Sequence, residues 1–312
     1  MSKVKELSNL MRFPLGIMAS LSGLAAGFIA IKIEDSTLSL LDIIQSYLGQ
    51  LLVGFPIPML IVCGAMVIND YYDYEADLRN DRQDRPLVRG VFSRQFALLL
   101  SIAMLALGGL LTLVLFLFFE KVETYLFPTV LVFIGISVAY STFLKRYGLL
   151  GNIAVSLSYP AAVILSMGVV GVTQSEAIIT ITSFGFMIFL AALGREVLKG
   201  VMDMEGDEAQ GVRTIAIRYG PLNAARLATF FFVLAVPLAP IPLVVTFLES
   251  SIIPAILYSI FTTLMIVLLL YAGVTLVQDP SKETGTKGRK ITKLAFWSVV
   301  LGFFLASLTL GL

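Results

Sequence analysis

The chain has 312 residues, 58% of them hydrophobic and only 14% charged, with a formal net charge of +1 and a mean hydropathy of +0.92. That is far more apolar than a soluble domain and describes a polytopic membrane protein of all-α class, for which no nucleic-acid partner is expected. With no histidine and a single cysteine, Cys63 inside an apolar run, imidazole bases, histidine metal sites and internal disulfides are excluded.

From Met1 to Asn9 the chain is polar, and it enters its first apolar run without a small-residue cleavage pattern, so no removable signal is expected. A span needs roughly 20 apolar residues. Nine segments qualify: Phe13 to Ile31, Tyr47 to Asn69, Phe96 to Phe119, Leu126 to Leu144, Leu149 to Val172, Ala177 to Leu198, Leu222 to Thr246, Ile252 to Val277 and Leu294 to Leu312. Pro56, Pro58, Pro160, Pro237, Pro240 and Pro242 fall within spans, where neighbouring helices re-satisfy the backbone. Gly23 and Gly27 have the spacing of helix-packing notches.

Alternate connections sort the basic residues. Twenty of the twenty-two lie on one side, from Lys3, Lys5 and Arg12 through Arg79 to Arg94, Lys145, Arg146, Arg195 to Arg226, and Lys282 to Lys293; only Lys32 and Lys121 lie on the other. The positive-inside rule then puts the N-terminus in the cytoplasm and the C-terminus outside, in a multi-pass cell-membrane protein whose active face is cytoplasmic. Two long loops, 78–94 and 208–220, share that side and follow the second and sixth spans. They suggest one domain over 1–312, built from four-helix units at 13–144 and 149–277 with a ninth helix at 294–312.

Before each long loop the apolar run fills with acid. Asn69, Asp73 and Asp77 stand four apart, as do Arg195, Lys199, Asp203 and Asp207, so each set falls on one helix face. Hard oxygen ligands from two helices, with cations a turn or two away, suit Mg²⁺ and a phosphate-bearing substrate. Facing rows could bridge a diphosphate through the metal and neutralise it as it leaves. An allylic chain on that diphosphate would pass through a carbocation, which a dry cavity and the rings of Tyr71, Tyr72, Tyr74, Tyr140 and Tyr159 could stabilise. The run Arg85-Pro86-Leu87-Val88-Arg89-Gly90 has the make-up of a lid.

Blander roles compete for the remaining polar residues. Asp70, Glu75, Asp81, Asp84, Glu205 and Glu208 fit solvated loop starts, and Arg79, Arg82, Arg89 and Arg94 fit topology signals. Lys287, Arg289, Lys290 and Lys293 fit contact with anionic lipid, and Tyr125, Tyr258 and Tyr271 fit an interfacial belt. A cation-coupled transporter would carry its carboxylates near the midplane rather than at one rim. A CDP-alcohol phosphotransferase would carry Asp-Gly and Ala-Arg companions that both rows lack.

Four motifs occur in order: Asn69-x-x-x-Asp73-x-x-x-Asp77, Arg85-Pro86-Leu87-x-x-Gly90, Tyr140-Ser141-x-x-Leu144-Lys145-Arg146 and Asp203-x-x-x-Asp207. Together they resemble the UbiA superfamily of intramembrane prenyltransferases along essentially the whole chain. The resemblance implies nine transmembrane helices around a central cavity open to the cytoplasmic side, with lateral access for lipid, and Mg²⁺-dependent transfer of a polyprenyl group. It implies that Asn69, Asp73, Asp77, Asp203 and Asp207 serve the metal, that Lys145 and Lys199 act with the aspartates in catalysis, and that Arg146 and Arg195 meet the diphosphate. Arg85, Tyr140, Ser141 and Arg12 complete the expected substrate-binding set. The stretch from Arg195 to Thr214 is similar to the archaeal digeranylgeranylglyceryl phosphate synthase branch, implying a geranylgeranyl donor and geranylgeranylglyceryl phosphate as acceptor. Glu205-Gly206-Asp207-x-x-x-Gly211-x-x-Thr214 is shared with quinone and chlorophyll branches, so an aromatic acceptor such as 4-hydroxybenzoate or dihydroxynaphthoate stays open.

Overall fold

A computed structural model describes residues 2–79, 81–209 and 211–310, and these form helices and turns without a strand. Gln210 of the second acidic motif and the last two residues of the ninth expected span lie outside the described residues. The short helix α1 (Lys3–Met11) is capped by Ser2, and Arg12, at φ 50°, turns the chain into α2 (Phe13–Glu34). A left-handed arginine stores strain of about 1 kcal/mol or more, so its contacts must hold it there.

The second expected span begins earlier than the hydropathy suggested. Helix α3 (Leu40–Gly54) starts at a capping box made by Ser39 and Asp42, breaks at Phe55, and continues as α4 (Pro56–Arg79). Pro56 has no N–H to give the preceding turn, so the hydrogen-bond ladder is interrupted there. Then follow α5 (Arg94–Phe118), α6 (Leu126–Thr142), a 3₁₀ turn over Leu144–Tyr147, α7 (Leu149–Ser156), α8 (Ser158–Val170) and α9 (Ser175–Met202). After two short helices, α10 (Met204–Ala209) and α11 (Ile215–Tyr219), come α12 (Pro221–Ala235), an irregular helical stretch to Ser250, α13 (Ile252–Gln278) and α14 (Lys282–Leu308).

Eight of the described helical segments are long and apolar enough to cross a membrane; Leu126–Thr142, with 17 residues, is a shorter apolar helix. It stops before the predicted Leu144 because the Lys145-Arg146 pair lies in the 3₁₀ turn. The last helix differs more, starting at Lys282 rather than Leu294. Hydropathy missed its basic half, but that half is a packing face: Gly285 abuts Met202 and Gly288 abuts Leu198 of α9.

Helix α2 packs against α4, α8, α9 and α14, with Ala25, Ala26 and Ile29 fully buried. Of the two notch glycines only Gly23 is tight, since a Cβ there would lie 2.9 Å from the Ala162 carbonyl; at Gly27 the nearest atom, on Val170, is at an ordinary 3.9 Å. Tyr258 is no belt residue. It is buried at 1% exposure, and its hydroxyl donates to the Ala239 carbonyl at 2.9 Å. That carbonyl needs a donor because the N–H of Leu243 is diverted to Pro240 in the proline-rich stretch.

The connections rich in cations meet at one end of the bundle. Arg89 pairs with Glu6, tying the loop after α4 to α1. Arg12 pairs with Asp70, Lys145 with Asp73 and Lys282 with Glu205. At the other end Glu34 accepts from the backbone of Thr173 and Gln174.

Candidate active site

Helix α4 runs unbroken through the first acidic row, so the four-residue spacing does stack the side chains. Asn69 Nδ2 donates to Asp73 Oδ2 at 2.9 Å, and the Lys145 ammonium donates to Asp73 Oδ1 from the 3₁₀ turn. Arg85 Nε stands 3.7 Å from Asp77. Asp70 is not a solvated loop start: its side chain is 2% exposed and accepts from Arg12 at 2.8 Å and Arg85 at 3.1 Å. The seven-residue step from Asp70 to Asp77, two helical turns, was the signal available for it.

The second row is split. Helix α9 ends at Met202, Asp203 caps it at φ −98° and ψ 7°, and the chain re-enters a helical turn in which Asp207 N–H donates to the Asp203 carbonyl at 2.9 Å. Arg195 and Lys199 remain on α9 and turn onto the buried Glu196, at 3.0 and 2.6 Å. A carboxylate removed from water needs both. Glu196 was missed in the sequence because it lies outside the four-residue row.

Two cations connect the rows. Lys145 holds Asp73 and lies within electrostatic reach of Asp207. Arg82, bonded to Asp84 at 2.9 Å, lies within reach of both Asp77 and Asp203. Tyr140 lies within electrostatic reach of Glu196, Tyr159, Arg12 and Asp207. The turn bearing Lys145 can dock so closely because of Gly148. Its φ is +55°, and a Cβ there would meet the Arg213 carbonyl at 2.6 Å.

Burial pushes the Asp207 carboxyl up to about 7; neighbouring Asp203 adds to this, while Lys199 and Lys145 oppose it. Asp203 is raised by burial too, against Lys199, Arg289 and Arg82. Among the described residues no three metal-ligating side chains stand close enough as placed to hold an ion; Asp73 carries the Lys145 ammonium. The donor set nevertheless fits a hard divalent cation. It is all oxygen, with four carboxylates, and burial and then neighbouring Asp203 raise the cost of charging Asp207 until a cation joins it.

A pH dependence follows. A carboxyl that titrates at about 7 must lose its proton to ligate, so Mg²⁺ binding should release a proton below that pH and weaken by about tenfold per unit of further acidification. Above it, affinity should level off. Calorimetry in buffers of differing ionisation enthalpy measures the proton; a pH-independent affinity from 5.5 to 8 would refute it.

Other expected residues fall elsewhere. Tyr71 and Tyr74 lie under Arg94, at 5.2 and 4.8 Å, and Tyr72 is 45% exposed, so these three do not line the site. Ser141 is buried, with its hydroxyl donating to Ser137 on its own helix at 3.0 Å. Arg146 is exposed and makes no ion pair among the described residues. Arg195 bonds the Tyr159 hydroxyl at 3.2 Å. Arg289, expected to contact lipid, lies within electrostatic reach of Arg12, Tyr159 and Asp203. An apolar cavity of about 50 Å³, lined by Gly23, Gly54, Leu126, Val130 and Ala162 among others, opens in the half of the bundle away from the rows.

The pattern that defines the UbiA prenyltransferase family matches residues 37–300. Digeranylgeranylglyceryl phosphate synthase of Archaeoglobus fulgidus is 34% identical over 263 residues, 83% of this chain and 84% of that protein. Its namesake in Methanocaldococcus jannaschii is 31% identical over 315 residues, 99% of each chain. A solved structure described as giving insights into the biosynthesis of digeranylgeranylglyceryl phosphate synthase in membranes has a TM-score of 0.69 at 27% identity, covering 99% of this chain and 100% of that one. A UbiA homolog from Archaeoglobus fulgidus bound to DMAPP and Mg²⁺ shares the fold, with a TM-score of 0.59 at 19% identity over 97% of this chain and 99% of that one.

Proposed function

Because the chain belongs to the UbiA prenyltransferase family, and is thus a multi-pass membrane prenyltransferase, we propose that it transfers a geranylgeranyl group from its diphosphate to the free hydroxyl of geranylgeranylglyceryl phosphate. The observation that carries this is Lys145, which pairs with Asp73 of the first row and lies within electrostatic reach of Asp207 of the second, at the cation-rich end of an apolar bundle. The names of the relatives support the choice of acceptor.

In this reading Asn69, Asp73, Asp77, Asp203 and Asp207 hold Mg²⁺, which when bound neutralises charge on the departing diphosphate. Lys145 moves from Asp73 to a diphosphate oxygen, and Arg82 and Arg85 close over it from the loop that Glu6 and Arg89 tie down. The allylic C–O bond breaks with its electron pair going to the departing diphosphate, the acceptor oxygen bonds to C1, and the hydroxyl proton passes to the released diphosphate. Tyr140 and Tyr159 face the reacting carbon and keep water out. The chain crosses the membrane nine times, with α6 as the short crossing, its N-terminus and the site at the cytoplasmic face and its C-terminus outside; the sorting of basic residues supports this.

An acceptor panel tests the proposal. Purified protein with Mg²⁺ and geranylgeranyl diphosphate is expected to prenylate geranylgeranylglyceryl phosphate, read by product mass. Turnover of 4-hydroxybenzoate or dihydroxynaphthoate in its place would move the protein to quinone synthesis.

A further inference from the structure

Two cations and one carboxylate on α9 form a unit that the acidic rows do not contain. At about 100° per residue, Lys199 lies about 40° and Glu196 about 100° round the helix from Arg195, so Glu196 flanks both cations from one side. Its two oxygens are divided between them: Arg195 Nη1 donates to Oε1 at 3.0 Å and Lys199 Nζ to Oε2 at 2.6 Å. Arg195 Nη1 also donates to the Tyr159 hydroxyl at 3.2 Å, so the same nitrogen ties α9 to α8. Like charges four residues apart on a helix repel one another, and the shared carboxylate offsets that. Exposure separates the roles. The Glu196 side chain is 5% exposed, against 14% for Arg195 and 30% for Lys199, so an entering ligand meets the cations and not the acid.

We propose that Glu196 is a positioning residue for the diphosphate leaving group: it fixes Arg195 and Lys199 in the orientation in which they receive the charge that develops on the departing oxygens, without touching the substrate itself. The assignment rests on the reading given under Proposed function. A guanidinium has five N–H donors and an ammonium three. Glu196 and Tyr159 hold Arg195 by Nη1, and Glu196 takes one bond from Lys199, which leaves donors for phosphate oxygens. Donors set before the reaction cost no reorganisation as charge builds, and a displacement of about 1 Å can cost about a hundredfold in rate. An amide in place of the carboxylate has one accepting oxygen and one donating nitrogen, so it can serve one cation and turns the other away. Both positive charges stay, so attraction for the diphosphate is kept while orientation is lost.

The test uses the full chain in nanodiscs, with geranylgeranyl diphosphate as donor and geranylgeranylglyceryl phosphate as acceptor. Glu196→Gln is expected to slow single-turnover release of diphosphate about a hundredfold, in a rate constant independent of how much of the protein is folded, while the donor KM stays within about threefold of wild type. Glu196→Asp, with both oxygens on a stem one carbon shorter, should fall between. Lys199→Met removes a charge and should raise the donor KM. In that background the Glu196→Gln step should shrink to about tenfold or less, because one of the two groups it positions is gone. Glu283→Gln, at an exposed pair with Lys287, controls for the loss of a carboxylate and should keep the wild-type rate. A wild-type rate in Glu196→Gln, or an undiminished loss that persists without Lys199, would overturn the positioning role while leaving the prenyltransferase reading intact. If the wild-type protein releases no diphosphate from geranylgeranyl diphosphate with any acceptor, the functional reading falls and the positioning role falls with it.

Discussion

Asp207→Ala is expected to lower kcat by about a thousandfold, the upper scale for losing one preorganised electrostatic group. Asp207 lies within electrostatic reach of Lys145 and Asp203, so its removal takes away one of the proposed ligands and weakens the link to the first row. Asp73→Ala should match it, because it removes the other carboxylate that Lys145 sees. The double variant should fall little further, since parts of one unit are not additive. The check is single-turnover release of diphosphate from geranylgeranyl diphosphate. Independent, multiplicative losses would mean that the two rows act separately.

Asp70→Asn should be the most damaging isosteric change to stability. The Asp70 carboxylate is 2% exposed and neutralises Arg12 and Arg85, themselves 28% and 19% exposed. Stranding buried cations typically costs 3–5 kcal/mol; partial exposure of both guanidinium groups brings the expectation down to about 2 kcal/mol. It should also release Arg12, whose left-handed φ of 50° then lacks the contact that holds it. Denaturation in mild detergent measures the loss, and Glu75→Gln, at an exposed pair with Arg94, should change it by only a few tenths of a kcal/mol. Equal effects from both variants would refute a structural role for Asp70.

The parts that were legible from sequence share a cause. The first row lies on one continuous helix, so spacing alone predicted that Asn69 would reach Asp73. Most span positions followed from hydropathy because lipid demands long apolar runs, the starts of the second and last excepted. What stayed hidden depends on tertiary partners. Asp70 and Glu196 look like neighbours of the rows in sequence, and only packing turns them into the counter-ions that set the cations in place. The break at Met202 was invisible because spacing counts residues, not the backbone angles of Asp203. The approach of Arg289 to Asp203 was hidden because hydropathy reports only the apolar half of α14, whereas its basic half packs through Gly285 and Gly288 onto α9. Tyr258 looked interfacial until the diverted N–H of Leu243 left a carbonyl for it.

The central claim is that both carboxylate rows hold one diphosphate through shared divalent ions. Mn²⁺ titration followed by electron paramagnetic resonance, with a non-hydrolysable geranylgeranyl diphosphate analogue present, tests it most directly. Phosphorus hyperfine coupling to bound Mn²⁺ should appear in the wild type and weaken in Asp73→Ala and in Asp207→Ala alike. Coupling that survives unchanged in either variant would contradict the claim, because that row would then take no part in holding the diphosphate.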